Sequence, residues 1–298
     1  MARSIEVDGV LAPQPGALSR WLKVTRRFIR QRPLGAAGAG VIVLMALAAS
    51  SANVAAPYHP LANDYGAMLQ APSGAHWLGT DTFGRDVFSR ILFGSRTALL
   101  VGFSSALLGA TLGTIIGVTS AYFGRRIDLI IQRFMDILLS FPLIILALTV
   151  VSILGNGIEN VILAITVPMI PRSALVARSS ALALRETPFV DAARAAGFSH
   201  TRIIFRHMLP NVMAPYLIML TAFQGQAILL EASLSFLGLG VAEPVAAWGL
   251  MLRGAAVEFA EQAPWMGLFP GLAISLAVFA FNLFGDSLRD ALDPKLRV

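Results

Sequence analysis

Residues 97–124 read TALLVGFSSALLGATLGTIIGVTSAYFG, 28 positions without an acidic or basic side chain. A hydrocarbon core about 30 Å thick is crossed by about 20 helical residues rising about 1.5 Å each. This stretch alone is therefore long enough to span a membrane. Comparable windows lie on both sides of it. No charge falls between Leu34 and Leu61, between Ile137 and Ile158, or between Gln262 and Gly285, and between His207 and Ala242 the one acid is Glu231. These windows predict spans at 34–54, 97–122, 137–155, 211–231 and 265–285. A sixth is predicted at 159–179. Its charge-free core, Asn160 to Pro171, is short, and Arg172 and Arg178 would have to snorkel to one interface. A helix lying on the membrane surface is the alternative for this segment.

Composition agrees with the windows. Of 298 residues, 56% are hydrophobic and 13% are charged, against about 25% charged in an average soluble protein. Mean hydropathy is +0.71. So few charges could not cover that much apolar surface, which excludes a soluble enzyme and leaves an all-α polytopic membrane protein. The net charge of +6 suggests nucleic acid at first, but the arginines fall between apolar blocks. Segments 1–33, 123–136, 172–206 and 286–298 hold 19 of the 23 Lys and Arg, and Arg85, Arg90, Arg96 and Arg253 are the remainder. That split orients both termini and the 172–206 loop toward the cytosol, and six spans are what put the termini on one side. No nucleic-acid partner is expected. The absence of cysteine excludes disulfides, thiolate metal sites and cysteine nucleophiles.

The expected layout has a basic cytosolic tail at 1–33, a first transmembrane helix at 34–54, an extracytoplasmic loop at 55–96, a core at 97–285 and a cytosolic tail at 286–298. Basic residues, an apolar run and then Ala48-Ala49-Ser50-Ser51-Ala52 resemble a cleavable signal peptide. The basic region is too long for that, and the run is long enough to span. In the tail, Leu18, Trp21, Leu22, Thr25, Phe28 and Ile29 recur at helical spacing among basic residues. They predict an amphipathic helix in the headgroup plane, or else an unstructured basic flank. The 55–96 segment carries turn chemistry and balanced charge, three Asp against three Arg, and reads as a small folded cap.

Catalytic constellations are missing. Lys23 and Lys295 are the only lysines, and neither completes a Gly-x4-Gly-Lys-Ser/Thr phosphate loop. ATP hydrolysis, if it drives this protein, belongs to another chain. His59, His76, His200 and His207 all lie outside the predicted spans. There is no His-Glu-x-x-His pair and no Gly-x-Ser-x-Gly elbow. Gly102-Phe103-Ser104-Ser105 reads as small residues for close helix packing. Within the spans, Glu231 is either a functional acid or an interfacial one already in water. Gln224 and Gln226 could line a polar path or bond a neighbouring helix. Pro142, Pro168, Pro171, Pro215 and Pro270 are expected to kink their helices.

The most specific segment is the loop Val190-Asp191-Ala192-Ala193-Arg194-Ala195-Ala196-Gly197, nine residues, then His207-Met208-Leu209-Pro210. It predicts an alanine-rich helix, a glycine turn, a second helix and a proline opening the next span. Alanines keep the first helix thin enough to enter a groove on a partner, and Arg194, Arg202 and Arg206 offer charged contacts at its rim.

This pattern resembles the E-A-A-x3-G-x9-I-x-L-P loop of ABC importer permeases, with Asp191 for the Glu, Ala192, Ala193, Gly197, His207 for the Ile, Leu209 and Pro210. The His-x-Leu-Pro-Asn form is similar to the peptide/nickel subfamily. So are His76-Trp77-Leu78-Gly79-Thr80-Asp81, Gly84-Arg85-Asp86-Val87-Phe88-Ser89-Arg90, the Ser233 to Gly240 block, and Leu288-Arg289-Asp290-Ala291-Leu292-Asp293-Pro294. The resemblance implies a type I ABC importer permease fold with a cytosolic coupling helix, at about 183–210, in a bacterial inner membrane. It implies a second, different permease subunit, two ATPase subunits that bind ATP and Mg, and an extracytoplasmic binding protein. It implies ATPase coupling for the seven loop residues just matched. The substrates it implies are di- and oligopeptides, with nickel chelates, glutathione or another small solute as alternatives. A secondary transporter of another fold would need acids for an ion site, and the spans carry almost none.

Overall fold

The computed structural model describes Arg26 and residues 28–292, with the side chains of 254–258 left aside. Much of the expected interfacial stripe (Leu18 to Thr25) and residues 293–298 lie outside the described residues. Chain order is α1 (Pro33–Ala55), a 3-10 turn (Tyr65–Ala67), α2 (Val87–Phe123), α3 (Arg125–Leu139), α4 (Leu143–Leu154), α5 (Ile158–Arg185), α6 (Pro188–Ala195), a helical lead-in over 200–212, α7 (Met213–Phe236), α8 (Trp248–Glu258) and α9 (Trp265–Leu292). Among the described residues, five helices are long and apolar enough to cross a membrane, the lead-in and α7 together forming one, and the bent pair α3–α4 makes up to six. The fold is all-α and polytopic.

Two expected spans come out differently. The window at 137–155 is not one helix, because α3 and α4 meet at 92° across Ser140-Phe141-Pro142. Proline lacks an amide proton and disfavours helical geometry in the residue before it. Pro142 therefore sits at the N-cap of α4 instead of bending a continuous helix. The other difference is α2, which starts at Val87 rather than at 97. Asp86 caps it by accepting from the Ser89 amide at 2.8 Å. Arg90 and Arg96, expected in the loop 55–96, thus lie on the helix. Arg90, only 1% exposed, donates to the Pro60 carbonyl at 3.1 Å. Arg96 reaches back to α1, bonding the Ala49 carbonyl and Asn53 Oδ1.

The short window at 159–179 becomes α5, 28 residues long, running through Pro168 and Pro171. Its apolar stretch is the most buried of the five spans, so the surface-helix alternative falls. The reason is its packing on α2. Gly109, Gly113 and Gly117 recur every fourth residue along α2 and face α5. A Cβ on Gly113 would lie 2.4 Å from the Ile170 carbonyl oxygen, and one on Gly117 would lie 2.2 Å from that of Ala174. The two backbones approach as closely as only glycine permits. Gly102 and Ser105 continue the close packing, against Ile228 and the Ile162 carbonyl. Of the expected kinks, Pro215 falls in the first turn of α7, where its missing N–H costs little, whereas Pro168, Pro171 and Pro270 lie inside helices.

Arg178 does not snorkel. Its Nε and Nη2 donate to both oxygens of Asp128 on α3, each at 2.6 Å, and Ser120 on α2 donates to the same carboxylate. Removing one partner of a buried pair costs about 3–5 kcal/mol. The side chains here are 29% and 15% exposed, so Arg178→Ala is expected to cost about 2 kcal/mol. Thermal unfolding in detergent should show this loss, with most of it recovered in Arg178→Ala/Asp128→Asn.

The opposite end of α2 is closed by residues 56–86. Asp81 accepts from the amides of Phe83 and Arg85 and from Arg85 Nε at 2.7 Å. His76 Nδ1 lies 3.0 Å from Asp86. Trp265 at the start of α9 donates to the Thr80 carbonyl at 3.1 Å. These bonds tie the cap to two spans.

Candidate coupling surface and pathway

Helix α6 opens with Pro188 in its first turn, where the missing amide proton is harmless. It ends at Gly197, whose φ of +75° is open to glycine at no steric cost. The closure is a paired cap: the Phe198 amide donates to the Ala193 carbonyl at 3.1 Å and the Gly197 amide to that of Arg194 at 3.0 Å. Beyond Ser199, which caps the next turn, the lead-in runs through the wide π-helical turn Ile203–Met208 and a 3-10 turn, Leu209–Val212, into α7. The second helix and the following span are thus nearly continuous. Pro210 sits in the 3-10 turn.

The loop has two faces. Val190 and Ala193 are buried, packed with Ile203, Ile204, Met208 and Val212 against Val118, Ala121 and Tyr122 of α2 and Ala177 and Ala181 of α5. Asp191, Ala192, Ala195, Ala196 and Gly197 are exposed. The expectation that all the alanines enter a partner's groove is corrected at Ala193, which is 6% exposed and faces this chain's own core. Asp191 does not cap α6. It pairs with Arg194 at 3.1 Å, one turn on. Arg194 also lies over the Tyr122 ring and Arg202 over Phe198, so two of the three expected rim arginines contact rings of their own subunit, though all three are exposed. His207 stacks on Phe198 with centroids 5.6 Å apart, and Leu209 packs at the edge of the cluster.

Sequence reasoning missed this hub. Tyr122 at the end of α2 lies 2.7 Å from His200 Nδ1, joining α2 to the loop. The apolar signal, Val190, Ile203, Met208 and Val212, was present. A π turn shifts the helical register it would have had to follow. The hub packs the buried face of the loop directly against α2 and α5, and the lead-in joins the loop to α7.

Two further substitutions separate the faces. Ala193→Trp should overpack the hub, costing about 1–3 kcal/mol and lowering the amount of folded subunit in membranes. Ala192→Trp sits on the free face and should leave that amount unchanged, since exposed substitutions shift stability by about 0.5 kcal/mol. Immunoblots of membranes beside uptake assays distinguish them.

The pathway residues do not converge. Glu231 is 1% exposed, and Ser235 Oγ donates to it at 2.7 Å. The reading of an interfacial acid in water is therefore overturned, and the carboxyl faces this subunit's own interior. Gln224 lines an apolar cleft of about 330 Å³ with Ile42, Phe103 and Phe281. Gln226, two residues on, points elsewhere and is half-buried. Among the described residues, no group of His, Cys, Asp and Glu could hold a metal ion.

Comparison with known proteins follows the same lines. Residues 109–298 match the family described as binding-protein-dependent transport system inner membrane component. The chain is 45% identical over 229 residues to the dipeptide transport system permease protein DppC of Alkalihalophilus pseudofirmus, covering 77% of this chain and 75% of that one. It is 43% identical over 278 residues to the glutathione transport system permease protein GsiD of Pectobacterium atrosepticum, covering 93% and 92%. A solved structure of the MetNI methionine ABC transporter in inward-facing conformations matches with a TM-score of 0.54 at 18% identity, over 69% of this chain and 97% of that one, which shows a shared fold. The loop and its hub fall inside the matched residues, and the chain belongs to the binding-protein-dependent transport system inner membrane components, the permease subunits of ABC transporters.

Proposed function

We propose that this subunit forms half of the translocation pathway of an importer for di- and oligopeptides in a bacterial inner membrane. The observation that carries the coupling role is the two-faced loop, with an alanine face free for a partner and a buried face locked to three spans. Its partners are a second, different permease subunit, two ATPase subunits and an extracytoplasmic binding protein. The nineteen-to-four split of basic residues orients the loop and both termini to the cytosol. There the exposed face of α6 docks in a groove of the ATPase, and closure of the ATPases on ATP and Mg rocks the bundles between inward- and outward-facing states. This chain has no phosphate loop and holds no nucleotide. The peptide substrate is supported by relatives named for dipeptide and for glutathione, itself a short peptide.

The test is reconstitution. The complete complex in proteoliposomes should accumulate a labelled dipeptide only with ATP and binding protein, while the isolated subunit hydrolyses nothing. ATP turnover by the homogeneous subunit, or a complex that accumulates no peptide, overturns the reading.

A further inference from the structure

Arg172 lies at the middle of α5, fourteen residues from Ile158 and thirteen from Arg185. The other arginines on α2 and α5 are satisfied: Arg90 by the Pro60 carbonyl, Arg96 by α1, Arg178 by Asp128 and Arg185 by the Ala121 carbonyl and Glu186. Arg172 has no hydrogen-bond or ion-pair partner among the described residues, and its side chain is exposed. Five residues further on, Ala177 joins the loop hub, so Arg172 lies toward the cytosolic end of the span; a guanidinium against lipid tails is costly there too, and such groups face the bundle interior, water or the interface.

An independent feature occupies the same place. The break between α3 and α4 leaves Ser140, Phe141 and Pro142 exposed. Together with Leu139, Pro168 and Arg172 the break lines an open cavity of about 250 Å³. Interrupted backbone within a spanning segment is tolerated where it is buried in protein or lines water, and here the chain itself does not bury it. Water in the cavity accounts for both the unpaired cation and the open helix break.

We infer that this cavity belongs to the aqueous translocation pathway and that Arg172 holds the C-terminal carboxylate of a passing peptide, an inference that rests on the peptide-importer reading above. The guanidinium presents a planar fork of five donors that matches a carboxylate bidentately and has no acceptor for an amine. A free C-terminus is the anionic group that every linear peptide carries, whatever its side chains. The cavity is smaller than pockets that enclose a drug-sized ligand, about 300–1,000 Å³. It therefore suits one end of a substrate rather than the whole, which fits a transient contact.

The native chain has no cysteine, so single cysteines can be read in the assembled complex. Leu163 is the control: it lies nine residues away on the opposite face of α5 and is 48% exposed. At matched membrane levels, Arg172→Cys should react with an anionic, membrane-impermeant thiol reagent at least about tenfold faster than Leu163→Cys. In the uptake assay, Arg172→Gln should lose about tenfold for a dipeptide with a free carboxylate relative to its C-terminal amide, with Arg172→Lys intermediate. Cysteine 172 reacting as slowly as cysteine 163 would place the side chain in lipid, against headgroups, and overturn the inference while leaving the importer reading intact. Equal losses for acid and amide would overturn it too, giving Arg172 a structural role or a partner on the second permease subunit. Failure of the wild-type complex to take up any peptide, with cysteine 172 still reactive, would overturn the peptide reading and the carboxylate assignment, with the water-lined cavity standing.

Discussion

Gly197→Asp is expected to abolish uptake while the subunit still accumulates in the membrane at its normal level. Residue 197 closes α6 in the left-handed region, at φ +75°. A Cβ built there meets nothing within 4 Å. The substitution therefore creates no clash inside the subunit, and its conformational cost is about 1–2 kcal/mol for most side chains, less for Asp and Asn, which visit this region most readily. A loss of that size in one cap does not unfold a chain braced by the hub of Val190, Ala193, Ile203 and Met208. What Gly197→Asp does change is the exposed tip, where a partner would have to accept a carboxylate at a position shaped for no side chain. Gly197→Asn separates the explanations. If the glycine serves only the cap, Asn should retain most uptake. If the tip docks in an ATPase groove, Asn should lose uptake nearly as completely as Asp, and co-purification of the ATPase should fall with it. Wild-type uptake by both variants would remove the coupling assignment of this loop.

Gly113→Leu is expected to have the opposite signature, with little or no folded subunit in the membrane. Its Cβ would fall 2.4 Å from the Ile170 carbonyl oxygen and 2.5 Å from Ser173 Cβ. The first of these is backbone, which cannot swing aside as a side-chain tip can. Relief requires α2 and α5 to separate along the seam that also carries Gly109 and Gly117. That would cost well beyond the about 1–3 kcal/mol of ordinary overpacking. Ser173 would lose its reach to the Ala110 carbonyl, now 2.9 Å. Gly40 on α1 is a matched control, since a Cβ there meets nothing within 4 Å, and Gly40→Leu should accumulate normally. Quantitative immunoblotting of membranes, followed by size-exclusion chromatography in detergent, would measure both. Normal amounts of monodisperse Gly113→Leu would refute the seam.

The sequence by itself determined the class, the positions of the apolar windows and the place of the loop. These depend on quantities that add along the chain: apolar run length against bilayer thickness, arginines counted between runs, and a glycine and a proline at fixed distances from an alanine-rich turn. Even the weakest window, 159–179, was recoverable, because the distribution of arginines favoured keeping it. Tertiary structure decided everything that depends on what lies opposite a residue. Ala192 and Ala193 are chemically identical, and only the surface formed by α2 and α5 sends one outward and the other into the hub. Arg172 and Arg178 are six residues apart on one helix, yet only one meets an aspartate, because α3 brings Asp128 to Arg178 but only Leu138, Leu139 and Ser140 to the cavity that Arg172 lines. Glu231 became an interior acid through its neighbours, not its position in the window. Hydropathy and spacing are properties of one strand of chain, whereas burial and pairing are properties of two surfaces in contact, and a second surface is not written in the local sequence of the first.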